Sequence, residues 1–141
     1  MIRTYSEDYA GWVDDTARAI EEGRFCEIDR LALADEVRDL GEIERRELES
    51  AIRVLLIHLL KIRYQPEKQT RSWEASIRVQ RKNIAKFLAS SPSLRPTLPG
   101  LIEDAYEKAR IEASDETGID LDAFPETCEF ATSQILASEP A

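Results

Sequence analysis

Histidine occurs once in these 141 residues, cysteine twice and glycine five times. One imidazole and two thiols, Cys26 and Cys128, about a hundred residues apart, do not make up the four-ligand spacing of a zinc site. No metal and no cofactor is expected, and both cysteines read as free thiols. The sparse glycines form no phosphate-cradling loop and no G-x-S-x-G nucleophile elbow. Long apolar runs are missing too: none approaches the roughly 18 residues of a membrane span. The opening "MIRTYSEDYAGW" does not have the basic, apolar and small-residue order of a secretory signal, so a cytoplasmic, membrane-free protein is expected. Positive charge is the last scarcity. With 28 acids against 19 Lys/Arg the net charge is −9, which argues against general affinity for nucleic acid.

What remains is apolar and charged. A 43% apolar and 33% charged composition is that of a globular chain, and a domain of this length buries roughly two-thirds of its unfolded surface. A single domain over residues 1–141, with its core at about 5–137, follows. Helical periodicity dominates, and no strand alternation occurs. Tyr9, Trp12, Val13, Ala17 and Ile20 mark a first helix, with Ser6 as cap and Gly23 as stop. A second starts at Asp29 and turns Leu33, Val37 and Leu40 inward. From Glu42 to Gln65 the apolar positions surround the helix, with Leu48, Ala51, Ile52, Leu55, Leu59 and Ile62 on one side and Leu56, Ile57 and Leu60 on the others, as in a central helix packed by several neighbours. One straight rod from Asp29 to Gln65 would measure about 55 Å, so a break or bend is expected near Gly41.

Pro66 then ends the helical run, and Ser72 is placed to cap a helix from about Trp73 to Ala89 that buries Trp73, Ile77, Ile84, Phe87 and Leu88. Gln80 falls within that stripe and needs a hydrogen-bond partner. "SSPSLRPTLPG" reads as a turn with a short helical start at Pro92, capped by Ser91. Leu98, Leu101, Ile102, Ala105, Tyr106 and Ala109 define a further helix ending near Gly118. The tail is anchored by Phe124 and Phe130 and carries a short helix at Thr132 to Leu136. The expected fold is all-α: a compact bundle of about five helices around a central apolar one.

Two features carry candidate chemistry. Charge is segregated: Arg53 to Arg95 holds ten Lys/Arg against two acids, a balance of +8, while the remainder stands at −17. Arg78, Lys82 and Lys86 follow one another at four-residue steps, and Arg71 precedes them. They form a basic helix face suited to an acidic protein partner, to self-association or, less readily in so acidic a chain, to nucleic acid. The other feature is His58 in the most apolar run. Arg53-x4-His58 matches the Arg-x4-6-His motif of the helical ribonuclease domains called HEPN, in which an imidazole moves a proton and a guanidinium stabilises the phosphoryl charge. Five residues set the two side chains about 140° apart on a helix, and apolar neighbours surround His58, which suits a packed histidine bonded to Gln80 or to a loop carbonyl of another element. An interaction domain that is not an enzyme, using the basic face, is the expected function, and a HEPN-like ribonuclease or nucleic-acid-binding domain is the alternative.

The stretches "DYAGW", "LADEVRDLGEIERRELES", "HLLKIRYQPEKQTRSWEASIRVQR", "SPSLRP", "DAYEKAR" and "FPETC", covering about Tyr5 to Leu136, resemble the bacterial family known as domain of unknown function 29. The resemblance implies a compact all-helical domain. It implies no activity and no catalytic residue.

Overall fold

The computed structural model describes residues 2 to 137, so residues 1 and 138–141 lie outside the described residues. Five α-helices follow one another: α1 Tyr9–Glu21, α2 Arg30–Tyr64, α3 Arg71–Ser90, α4 Leu98–Thr117 and α5 Thr132–Leu136. Short 3-10 turns punctuate them, and no strand occurs among the described residues. The class is all-α, as the periodicities predict. By its contacts the chain divides into two units, residues 1–43 and 44–141.

In the first unit, Asp8 rather than Ser6 caps α1, its carboxylate accepting the Gly11 N–H at 2.9 Å. Asp8 has the extended backbone a cap needs, and Ser6 lies a residue pair too early. At the other end Gly23, with φ of +74°, and Arg24 donate to the carbonyls of Ile20 and Ala19, the paired closure of a left-handed cap. The buried face of α1 is also not the expected one. Gly11, Trp12, Thr16 and Ala19 are buried, while Tyr9, Val13, Ala17 and Ile20 are exposed. Small residues at three of the four buried positions leave the large ones outside. Tyr5 and Trp12 meet edge to face at 5.1 Å, Tyr5 meets Tyr9 likewise, and the Tyr9 hydroxyl donates to Glu36. Arg3 clasps Asp15 through its backbone N–H and its guanidinium at 2.9 to 3.0 Å.

Asp29 caps α2, accepting the Ala32 N–H at 3.1 Å. The helix then runs for 35 residues through Gly41, so of the break or bend expected there the break does not occur. Glycine costs a helix interior only about 1 kcal/mol, which the helical residues on both sides of Gly41 outweigh. Val37 and Leu40, expected inside, are 59% and 65% exposed.

In the second unit α2 is central, as its all-round apolarity requires. Leu48, Ala51, Ile52, Leu55, Leu56, Ile57 and Leu60 are buried, and Leu59 and Ile62 are half-buried. Ile77, Ile84 and Leu88 of α3, Leu98, Ile102, Ala105, Tyr106, Ala109 and Ala113 of α4, and Phe124, Phe130 and Ile135 complete one core. Thr70, not Ser72, caps α3, accepting the Trp73 N–H at 3.3 Å. Ser91 is likewise diverted: no side-chain bond caps the Pro92 turn, and its hydroxyl donates to Glu44 at 2.9 Å. Gly118, at φ of +75°, closes α4. Trp12 sits in the first unit and Trp73, half-buried beneath the Lys61 ammonium at 5.5 Å, in the second.

Candidate functional site

Apart from Lys68 and Arg95, which are exposed in the turns on either side of α3, the cations from Arg53 to Arg95 fall into two groups. Those on the central helix are engaged within the unit: Arg53 with Glu112 at 3.3 Å, Lys61 with Glu116 at 2.8 Å and Arg63 with Glu129 at 2.8 Å. The Arg63 guanidinium also lies 4.3 Å from the Phe130 ring centre. Arg81, on the inner side of α3, donates to the carbonyls of Gln134 and Ile135 and satisfies groups that the short α5 leaves open. These four cations hold the unit together.

The second group is the row predicted from sequence. α3 buries Ile77, Ile84 and Leu88, so four-residue steps on its far side point outward, and Arg71, Arg78, Lys82 and Lys86 are all exposed. Arg71, Lys82 and Lys86 make no ion pair or hydrogen bond among the described residues. Val79, 52% exposed, stands within the row. Lys86 also lines a cleft of about 570 Å³ between α2 and α3, together with Glu44, Glu47, Gln80, Asn83 and Phe87. Half-buried Gln80 finds the partner it requires in Asn83, whose amide donates to it at 3.4 Å.

His58 is half-buried. Its Nδ1 lies 2.8 Å from the Val54 carbonyl, one turn back on its own helix, so the partner is neither Gln80 nor a carbonyl of another element. A ring nitrogen one turn above a backbone carbonyl finds an acceptor without leaving its helix. No hydrogen bond joins His58 to Arg53, whose guanidinium turns to Glu112 and whose Nε is buried without a partner. Neither residue lines the cleft of Lys86.

Elsewhere in the second unit, burial keeps one thiol and one phenol protonated. Burial raises the Cys128 thiol, with Sγ 3.5 Å from the Phe130 carbonyl, so it stays protonated at neutral pH. Burial likewise pushes the Tyr106 hydroxyl up to about 12, and it donates to the Pro125 carbonyl at 2.5 Å. Cys26 is exposed and free. Among the described residues no group of three or more His, Cys, Asp or Glu side chains is arranged to hold a metal ion, and no helix is long and apolar enough to cross a membrane.

The model of one protein family, domain of unknown function DUF29, matches residues 4–139. The chain belongs to the DUF29 family. Neither the curated proteins nor the solved structures contain a match. Family membership brings no activity with it and leaves function to the geometry. In this DUF29 chain, sequence reasoning located the outward row of α3 but missed Glu44 and Glu47 as neighbours of Lys86 across a cleft. Gln80, a polar residue in an apolar stripe, was the signal that a polar cleft lay there.

Proposed function

We propose that this DUF29 protein is a cytoplasmic interaction module that is not an enzyme and that receives an acidic protein surface on the outward face of α3. One observation carries the reading: in a segment where Arg53, Lys61, Arg63 and Arg81 all find internal partners, Arg71, Lys82 and Lys86 find none and stand in solvent. Cations held in a row on a rigid helix favour an oppositely charged surface, steer its approach and fix its orientation. A ribonuclease centred on Arg53 and His58 has weaker support, because Arg53 is paired with Glu112 and His58 with its own backbone.

The test is affinity capture with the wild-type chain and with the Arg71→Glu/Lys82→Glu/Lys86→Glu variant. An acidic protein is expected in the wild-type eluate. Once purified, it should bind the wild-type chain directly, more weakly as salt rises, and lose at least about tenfold in affinity on the reversal. Equal binding by the variant rejects the reading, and so does an eluate in which the face retains only RNA or DNA.

A further inference from the structure

The exposed face of α4 is the counterpart of that of α3. Two of its acids are paired, Glu112 with Arg53 and Glu116 with Lys61, whereas Glu103, Asp104, Glu107 and Asp115 are exposed and make no ion pair or hydrogen bond among the described residues. Ile111, 49% exposed, stands among these acids as Val79 stands among the cations of α3. Within one copy Arg71, Lys82 and Lys86 on α3 and these four acids on α4 have no partner among the described residues, and each set offers the other its counter-charge. A second copy supplies both.

We infer that the outward face of α3 docks on the outward face of α4 of a second copy, as an antiparallel pair of helices. The spacing supports this. Lys82 and Lys86 are separated by four residues, as are Glu103 and Glu107, so each pair spans about 6 Å along its helix. With Val79 set against Ile111 and the helices antiparallel, Lys82 comes level with Glu107 and with Lys108, the latter already paired with Glu49 at 2.6 Å, Lys86 comes opposite Glu103 and Asp104, and Arg71 lies beyond Asp115. The parallel register with the same apolar contact carries Lys86 to the level of Gly118, past the last acid of α4, which disfavours it. Ala85 and Ala89, exposed beside the cations on α3, let the two backbones approach closely. Two different faces meet, so the contact closes a two-fold pair when formed twice between the same two copies and extends from copy to copy when formed once. The inference rests on the reading of α3 as a docking face and names its partner.

Sedimentation of the purified full chain tests it. At about 50 mM salt the mass should rise with protein concentration, and at about 500 mM it should return to that of one copy, because screening removes most of the attraction between exposed charges. Lys82→Glu/Lys86→Glu should weaken association at least about tenfold, and so should Glu103→Lys/Glu107→Lys. An equimolar mixture of the two variants should associate again, since the acidic α3 of one then meets the basic α4 of the other. Should a charge variant lose its helical signal, Val79→Ser and Ile111→Ser, neutral changes on exposed positions, should still weaken association. A wild-type chain that stays single at every concentration overturns the inference, as do reversals without effect or a mixture that stays dissociated. Loss of a purified acidic partner on reversal of α3, in a chain that never self-associates, leaves the docking face standing and removes only the second copy.

Discussion

Two residues show how a single partner sets a titration. The Arg3 guanidinium and backbone N–H hold the Asp15 carboxyl well below its ordinary value of 3.8. A carboxyl depressed by folding contributes stability that is fully present above that ordinary value and is lost as pH falls through the folded one. Arg3→Leu should therefore return the Asp15 resonance to titrate near 3.8 and remove a stabilising contribution at pH 7 but not at strongly acidic pH. NMR titration of the side-chain carboxyls checks this. Tyr106 has the opposite sign. Its hydroxyl, raised to about 12 by burial, contributes stability that is complete below the ordinary value of 10.0 and is lost as pH rises through the folded one. Tyr106→Phe leaves the Pro125 carbonyl without its donor and should cost about 1 to 2 kcal/mol in chemical denaturation. The same variant should lose one late-titrating phenol from the tyrosinate absorbance. Tyr9, held at about 12 by its bond to Glu36, should remain as another.

Among the elements, α2 is the one on which sequence and structure diverge most. Gly41 is exposed, and a Cβ built there meets nothing within 4 Å, inside a helix that continues on both sides. Gly41→Ala should therefore raise stability by about 0.5 to 1 kcal/mol, as in any exposed helix interior. Gly118→Ala, at a φ of +75°, should lower it by about 1 kcal/mol. Unchanged stability at Gly41 would mean that the helix is interrupted there after all. Apolar positions in the second half of α2 were legible because the core surrounds them, and Phe124, Phe130 and the helix Thr132–Leu136 were legible because isolated aromatics in a polar tail have nowhere else to go. Val37 and Leu40 misled because periodicity identifies a stripe and says nothing of whether a neighbour covers it. The caps moved by a residue or two because Ser, Thr and Asp are chemically interchangeable there and backbone angles decide among them. The row on α3 was visible as cations at four-residue steps. That Arg71, Lys82 and Lys86 stay without an ion pair or hydrogen bond while Arg63 is engaged was not, because a partner such as Glu129 for Arg63 lies 66 residues away in the chain.

At the scale of the whole molecule, burial is unevenly shared. The large core belongs to residues from Leu48 onward, whereas in residues 2–43 Trp12 and Ala19 are the apolar residues fully buried, and Phe25, Leu31, Val37 and Leu40 are more than half exposed. Opening free energy follows local burial, so amides of α2 from Asp35 to Ile43 should exchange with solvent orders of magnitude faster than those from Leu55 to Leu60 of the same helix. Equal protection along the helix would contradict this distribution. The two tryptophans fall on either side of the division. Trp12 is 3% exposed and ringed by Tyr5 and Tyr9, while Trp73 is half-buried beside an ammonium group. Each unit thus carries one indole emitter, with the bluer spectrum belonging to Trp12. Trp12→Phe and Trp73→Phe chains report the two units separately, so whether they melt together or in sequence is readable as fluorescence from the protein's own residues, with no dye attached.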